Sequence, residues 1–196
     1  MKANRYQIKF CGMTNLDDCK KAVELGVDYV GFVFYRKSRR YIAPHKARRI
    51  VERLDSSVST VGVFIDETDE EIEKIVDDCG LSFAQVYRES TVKKKITAYR
   101  VADQLPASPG EGLLLFDSYT KGYGGSGTSF HTGLLENCEV LSRSFIAGGI
   151  NEQNVREILR LRPFGVDLVS SVEAPHGKKD HKKMEAFVKM VRSIVS

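Results

Sequence analysis

Lys9-Phe10-Cys11-Gly12-Met13-Thr14-Asn15 decides how the rest of this chain is read. A short run from Tyr6 to Phe10 mixes apolar and polar residues and ends in a cysteine. A glycine then frees the backbone, and Thr14 stands where a helix can begin. A strand therefore runs into a helix with a thiol at the junction. In α/β proteins the carboxyl ends of strands are where ligands bind and chemistry takes place. Taken alone, a cysteine there is more often a small buried apolar residue than a reactive one. What gives it weight is the recurrence of the same unit along the chain.

Outward from that stretch, strand-like and helix-like runs alternate almost throughout. Thr14 with Asp17 has the look of a capping box, Leu16, Cys19, Ala22 and Val23 form one apolar face, and Gly26 ends the first helix. Asp28 to Phe34 is nearly all apolar, as a strand covered on both faces should be. Pro44 suits the first turn of a second helix, with Ala47, Ile50, Val51 and Leu54 as its stripe. A third strand, Val58 to Ile65, leads to a helix capped by Thr68 and Glu71, faced by Ile72, Ile75, Val76 and Cys79 and stopped by Gly80. Ser82 to Val86 and Ile96 to Val101 read as the fourth and fifth strands. The gap between them is shorter than the roughly a dozen residues a parallel crossover usually takes. Either that crossover is a tight helical turn or two, or a strand is displaced. Asp103 to Gly112, with Pro106 and Pro109, is also short of a full helix.

Gly112 to Asp117 is the sixth strand, followed by the glycine-rich loop Tyr123 to Phe130. Ser144 to Ala147 is the seventh and ends in Gly148-Gly149. Asn151 then caps a helix bearing Val155, Ile158 and Leu159, closed by Pro163. Gly165 to Val169 is the eighth strand, and the final helix places Met184, Phe187, Val188, Val191 and Val195 on its apolar side. Eight strands, each followed by a helix or a stunted one, predict an α/β chain folded as a small (β/α)8 barrel. The shortened crossovers fall around strands four to six, and residues 1–196 form a single domain. The competing doubly wound sheet usually carries G-x-G-x-x-G after its first strand, a pattern absent after Phe10.

Hydrophobic residues at 42% and charged residues at 29% are those of an ordinary globular protein. The net charge of +4 suits an anionic small molecule and is weak evidence for nucleic acid. Cys11, Cys19, Cys79 and Cys138 form no C-x-x-C pair, so neither a metal site nor a disulfide framework is expected, and a reducing cytoplasm is the expected location. The first residues lack a signal-peptide core, and no apolar run approaches the roughly 20 residues that span a bilayer, so no membrane partner is expected.

In a barrel the strand ends converge on one rim. There stand Cys11, the loop with Arg36, Arg39 and Arg40, Asp117, Gly148-Gly149, and Asp167 with Ser170 and Ser171. The arginine loop can also be read as a solvated basic turn, and Asp117 as a cap or turn residue. The loop Gly124 to Gly127 lacks the G-K-[ST] ending of a nucleotide-binding P-loop. Gly148-Gly149 just before a helix is more informative, because bare backbone N–H groups bind anions and barrels often hold phosphate after strands seven and eight. A thiol, a carboxylate, an arginine and a phosphate cradle on one rim suggest acid–base work on a small phosphorylated molecule.

KFCGMTN, YVGFVFYRKSRRYI, VGVFID, GGSG, AGGINEQNV, GVDLVSSVE and GKKDH, collinear from Lys9 to the C-terminus, resemble the phosphoribosylanthranilate isomerase family of tryptophan biosynthesis. The resemblance is weakest between Tyr87 and Gly112. It implies a cofactor-independent isomerase of the aldose–ketose type, acting as a monomer or homodimer. The reaction implied is the Amadori rearrangement of N-(5-phosphoribosyl)anthranilate to 1-(2-carboxyphenylamino)-1-deoxyribulose 5-phosphate. By similarity Asp117 is the general acid and Cys11 the general base. Arg40 holds the anthranilate carboxylate, and Gly148, Gly149, Ser170 and Ser171, with Asp167 beside them, bind substrate. Those roles require a thiol pushed modestly down by nearby positive charge and a carboxyl raised by burial.

The chain departs from the family in three places. Where the family reads Gln-Leu-His-Gly, this chain has Gln85-Val86-Tyr87-Arg88. His131 and Thr132 follow Phe130 in place of Asp-Trp. At strand eight, Val169 replaces a hydroxyl and Ser171 a glycine, and a Cβ can obstruct backbone that must approach phosphate. The alternative to an active isomerase is therefore a barrel that binds a sugar phosphate but has lost or changed its activity. A lyase or synthase on the same rim would call for a Lys or Glu at a strand end, and none is evident. A non-enzymatic basic module would need one continuous basic face, whereas Lys20, Lys21, Arg48, Arg49, Lys182 and Lys183 are dispersed over helices.

Overall fold

The computed structural model describes residues 5–118 and 132–194. The loop from Tyr123 to Phe130, His131 and Val195 lie outside the described residues. Eight parallel strands pair in chain order: β1 (Gln7–Phe10), β2 (Tyr29–Val33), β3 (Ser59–Phe64), β4 (Phe83–Val86), β5 (Lys95–Val101), β6 (Leu113–Ser118), β7 (Ser144–Ala147) and β8 (Gly165–Leu168). β8 returns to β1, with Lys9 opposite Asp167, and closes the barrel. Closure removes the unpaired sheet edges that an open parallel sheet would leave.

The helices start and stop where backbone chemistry dictates. α1 (Leu16–Glu24) is capped by Asn15, whose side chain accepts from the Asp18 amide. The cap is thus one residue later than Thr14, because the Thr14 hydroxyl donates to the Gly177 carbonyl and is taken up by the far end of the chain. α2 (Pro44–Val51) begins on its proline, and Leu54 packs beyond its end. α3 (Asp69–Cys79) has a complete Thr68/Glu71 capping box and stops at Gly80, whose φ of 65° suits a residue without a Cβ. α4 (Val155–Arg160) starts later than Asn151, whose side chain accepts from the Gln153 and Asn154 amides in the turn ahead of the helix. α5 (His181–Arg192) is capped by Asp180.

Neither alternative for the β4–β5 connection holds. Both strands are in place, and the residues between them contain no helix. The turn is held instead by Asp69, whose carboxylate accepts from the Thr91 amide and hydroxyl and from Ser90, and pairs with Arg88. The segment between β5 and β6 also lacks a helix.

Strand alternation sorts the side chains into two cores. Ile8, Phe10, Val30, Phe32, Phe64, Leu114, Phe116, Ile146, Val166 and Leu168 face outward under the helices. Tyr29, Val61, Ile96, Ala98, Leu115, Phe145 and Ala147 fill the barrel itself, with Phe83 and Phe164 packed against them. Phe145 meets Tyr29 edge-on at 5.1 Å and Phe164 at 5.0 Å. Each such pair adds roughly 0.5–1.5 kcal/mol beyond its buried area. This aromatic plug leaves the polar inward residues, Lys9, Gln85 and Asp167, between it and the carboxyl-end mouth.

Candidate active site

Cys11 follows β1 on the same inward parity as Lys9. Its amide donates to the Leu168 carbonyl across the barrel seam, and its residue is 5% exposed. Gly31 on β2 leaves room for it: a Cβ there would stand 2.7 Å from the Cys11 sulfur. Gly31→Ala is therefore expected to cost about 1–3 kcal/mol, as overpacked core sites do. A lowered urea midpoint would show this, and an unchanged midpoint would refute it.

Beneath Cys11 the Lys9 ammonium is fully buried and pairs at 2.8 Å with Asp167 Oδ2, in a residue 4% exposed. Burial pulls the ammonium down, but Asp167 and Cys11 outweigh it and hold Lys9 above the ordinary lysine value. The other Asp167 oxygen, Oδ1, has no partner among the described residues. Cys11 departs from expectation. Burial pushes its thiol up, and the counter-pull of Lys9 and Lys179 does not cancel it, so the resting side chain is the thiol.

Asp117, at the inward end of β6, is pushed up to about 6 by burial and then by the negative charge of Asp167. Tyr87, Arg100 and Lys9 pull the other way. Tyr87, the residue after β4, reaches Asp117. Its hydroxyl receives the Gln85 amide at 3.0 Å and donates to Asp117 Oδ2 at 3.4 Å. Burial, Asp117, Cys11 and Asp167 all push its phenol well above 10, so it remains a donor. Asp117 is in register with Ala147 and Ala147 with Asp167, whose partner Lys9 stands two residues before Cys11 on the same inward parity, so Cys11 and Asp117 share one mouth.

The rest of the rim is tied to the end of the chain. Arg40 is 7% exposed and grips Glu173 with two bonds, Nε to Oε1 at 2.8 Å and Nη2 to Oε2 at 2.7 Å. Burial would raise Glu173, but Arg40 and Lys179 hold it below the usual range. The Lys179 ammonium donates to the Cys11 carbonyl at 2.6 Å, the Val169 carbonyl at 3.1 Å and Glu173 at 3.2 Å. Gly148 and Gly149 follow β7 with φ of 86° and 64°. A Cβ on Gly148 would collide with Ser118. Because α4 begins only at Val155, the pair offers turn amides rather than a helix N-terminus. Ser170 and Ser171 open a short 3-10 turn after β8, the strand beside β7. Among the described residues no three His, Cys, Asp or Glu side chains could hold a metal ion.

The expected residues thus gather on one mouth, except that Asp167 sits a layer below it. Lys9, Lys179 and Glu173 were not singled out as site residues. A lysine at an inward position of a strand covered on both faces, between Ile8 and Phe10, was the available signal for the first.

A family model described as N-(5'phosphoribosyl)anthranilate (PRA) isomerase matches residues 8–190. The N-(5'-phosphoribosyl)anthranilate isomerase of Nitratiruptor sp. is 37% identical over 95% of this chain and 98% of its own. The crystal structure of the Thermotoga maritima phosphoribosyl anthranilate isomerase superposes with a TM-score of 0.82 at 34% identity, covering 96% of this chain and all of that one. A phosphoribosyl anthranilate isomerase in complex with reduced 1-(o-carboxyphenylamino)-1-deoxyribulose 5-phosphate gives a TM-score of 0.77 at 31% identity, covering 96% of this chain.

Proposed function

This chain belongs to the N-(5'-phosphoribosyl)anthranilate isomerase family, and from that premise we propose that its mouth carries out the Amadori rearrangement with Asp117 as acid and Cys11 as base. The observation that carries the assignment is the strand register, which runs from Asp117 through Ala147 and Asp167 to Lys9, two residues short of Cys11. Protonated Asp117 gives its proton to the furanose ring oxygen. The C1–O bond breaks as the anthranilate nitrogen lone pair forms the C=N bond. The Cys11 thiolate then takes the C2 proton, the C2–H electrons become the C1=C2 bond of the enolamine, and tautomerisation gives the ketone. Each turnover leaves a thiol and a carboxylate, so one proton must pass from sulfur to Asp117 before the next.

Arg40, oriented by Glu173, receives the anthranilate carboxylate. The turns at Gly148-Gly149 and Ser170-Ser171 receive the phosphate. Asp167 acts from beneath rather than by direct contact. The side chain of Ser171 is no bar to this, since turn amides and the Ser170 and Ser171 hydroxyls can all donate to phosphate. No described helix is long and apolar enough to cross a membrane.

The test is the fluorescence decay of freshly generated phosphoribosylanthranilate with purified protein. Decay accelerated in proportion to enzyme supports the reading, and decay at the uncatalysed rate refutes it. Tyr87→Phe removes the hydrogen bond that favours ionised Asp117. It is expected to move the acidic limb of the pH profile upward and, by bringing Asp117 closer to the thiol in pKa, to raise the kcat/KM plateau by up to about tenfold. A limb that stays in place would remove Tyr87 from this role.

A further inference from the structure

A lysine and aspartate buried together are an expensive feature to keep in a barrel interior. The pair is not needed to close the seam, since β1 and β8 are already joined by their backbone ladder from Gln7–Gly165 to Phe10–Leu168. Its placement is directional. Lys9 lies on β1 two residues before Cys11 and on the same inward parity, and Asp167 is in register with Ala147, which is in turn in register with Asp117. Asp167 uses one oxygen for Lys9, and the other has no partner among the described residues, so its charge is quenched on one side only.

We propose that the Lys9–Asp167 pair is an oriented internal dipole, positive under Cys11 and negative toward Asp117, that positions the protons of the acid–base couple from below. The inference rests on the reading of Cys11 as base and Asp117 as acid. Lys9 and Asp167 act through those groups and are positioning residues.

The ranking of charges around each group fits this orientation. At Cys11, after burial, Lys9 outweighs Asp167, with Lys179 behind them. At Asp117, after burial, Asp167 outweighs Lys9, with Tyr87 and Arg100 between them in effect. Tyr87, just past β4, bonds to Asp117, and its phenol is raised by both Asp117 and Cys11. One pair thus favours thiolate at one end and carboxylic acid at the other, the two forms needed together at the start of turnover. The same end-of-turnover proton shift, from sulfur to carboxyl, runs down the field of this dipole.

The test is the variant Lys9→Met/Asp167→Asn, which removes both charges and leaves no lone buried ion. Cys11 then loses more help than hindrance and titrates higher, while Asp117 titrates lower. The two limbs of the kcat/KM profile move apart, and the plateau falls by about tenfold or more, because each unit of separation costs tenfold in the correctly protonated fraction. Direct ultraviolet titration of the Cys11 thiolate, with a Cys11→Ser blank, gives a second reading that needs no turnover. An upward shift in the double variant supports the dipole even if no isomerase activity were found, in which case it is the functional reading that fails. Limbs and thiol titration that stay in place, or limbs that move in the same direction, overturn the proposal. A pair that served packing alone would lower the plateau without moving either limb.

Discussion

Cys11→Ala is expected to lower kcat/KM by about 10²–10⁴-fold, the usual worth of a positioned general base, while the protein stays folded. The side chain is small, so loss of the sulfur should cost about 1 kcal/mol. The backbone bonds that hold residue 11, its amide to Leu168 and its carbonyl to Lys179, do not involve the side chain. Circular dichroism and the urea midpoint would report the fold, and the phosphoribosylanthranilate decay assay the activity. Turnover at the parent rate in folded Cys11→Ala would remove the thiol from the mechanism. Because Asp117 lies at about 6 and burial holds the thiol up, the parent's kcat/KM should rise with pH to about 6 and then stay level until the thiol titrates.

Asp117→Asn should abolish ring opening to a similar degree, since an amide cannot give up a proton at neutral pH, and should stabilise the protein at the same time. The carboxyl lies at about 6 in the folded chain against an ordinary 3.8. Between those values the folded state binds more protons than the unfolded chain, so stability falls as pH rises through that window. Above it the full penalty is present, on the order of 3 kcal/mol, and below it the penalty vanishes. Asn carries no charge to bury and its oxygen can still accept from Tyr87. The variant should therefore be more stable than the parent above pH about 6 and equal to it near the unfolded carboxylate value. Urea midpoints measured across that range check the sign. A stability gap that does not widen with pH would mean that Asp117 is not held up by burial. Such a gain in stability on losing an acid is the ordinary trade between folding and catalysis.

Much of the barrel was legible because its signals are local. Alternation around Phe10, the Thr68/Glu71 box and the Gly80 stop are decided within a few residues. The misses are where a distant group intervened. Thr14 is a good cap residue by type, yet its hydroxyl is claimed by Gly177, and Asn15 caps instead. The β4–β5 turn dispenses with a helix because Asp69, on α3, satisfies its amides and hydroxyls from outside. Cys11 and Asp117 could be placed on one mouth from strand order alone. That the thiol would be pushed up rather than down depends on burial, which only the closed barrel creates. Lys9 was hidden for a related reason. Its partner lies at Asp167, nearly the whole chain away.

The bonds from Lys179 to the Cys11 carbonyl and from Arg192 to the Tyr6 carbonyl and Asp28 run from the end of the chain to its beginning. On the ribosome the first strand emerges early but has no β8 to pair with and no ammonium to fix the turn at Cys11. A nascent chain halted before Lys179 can pair β1 with β8 but lacks the ammonium that seats the turn at Cys11. Catalytic competence should therefore arrive abruptly once Lys179 is released, and translation products that stop before it should be silent rather than partly active.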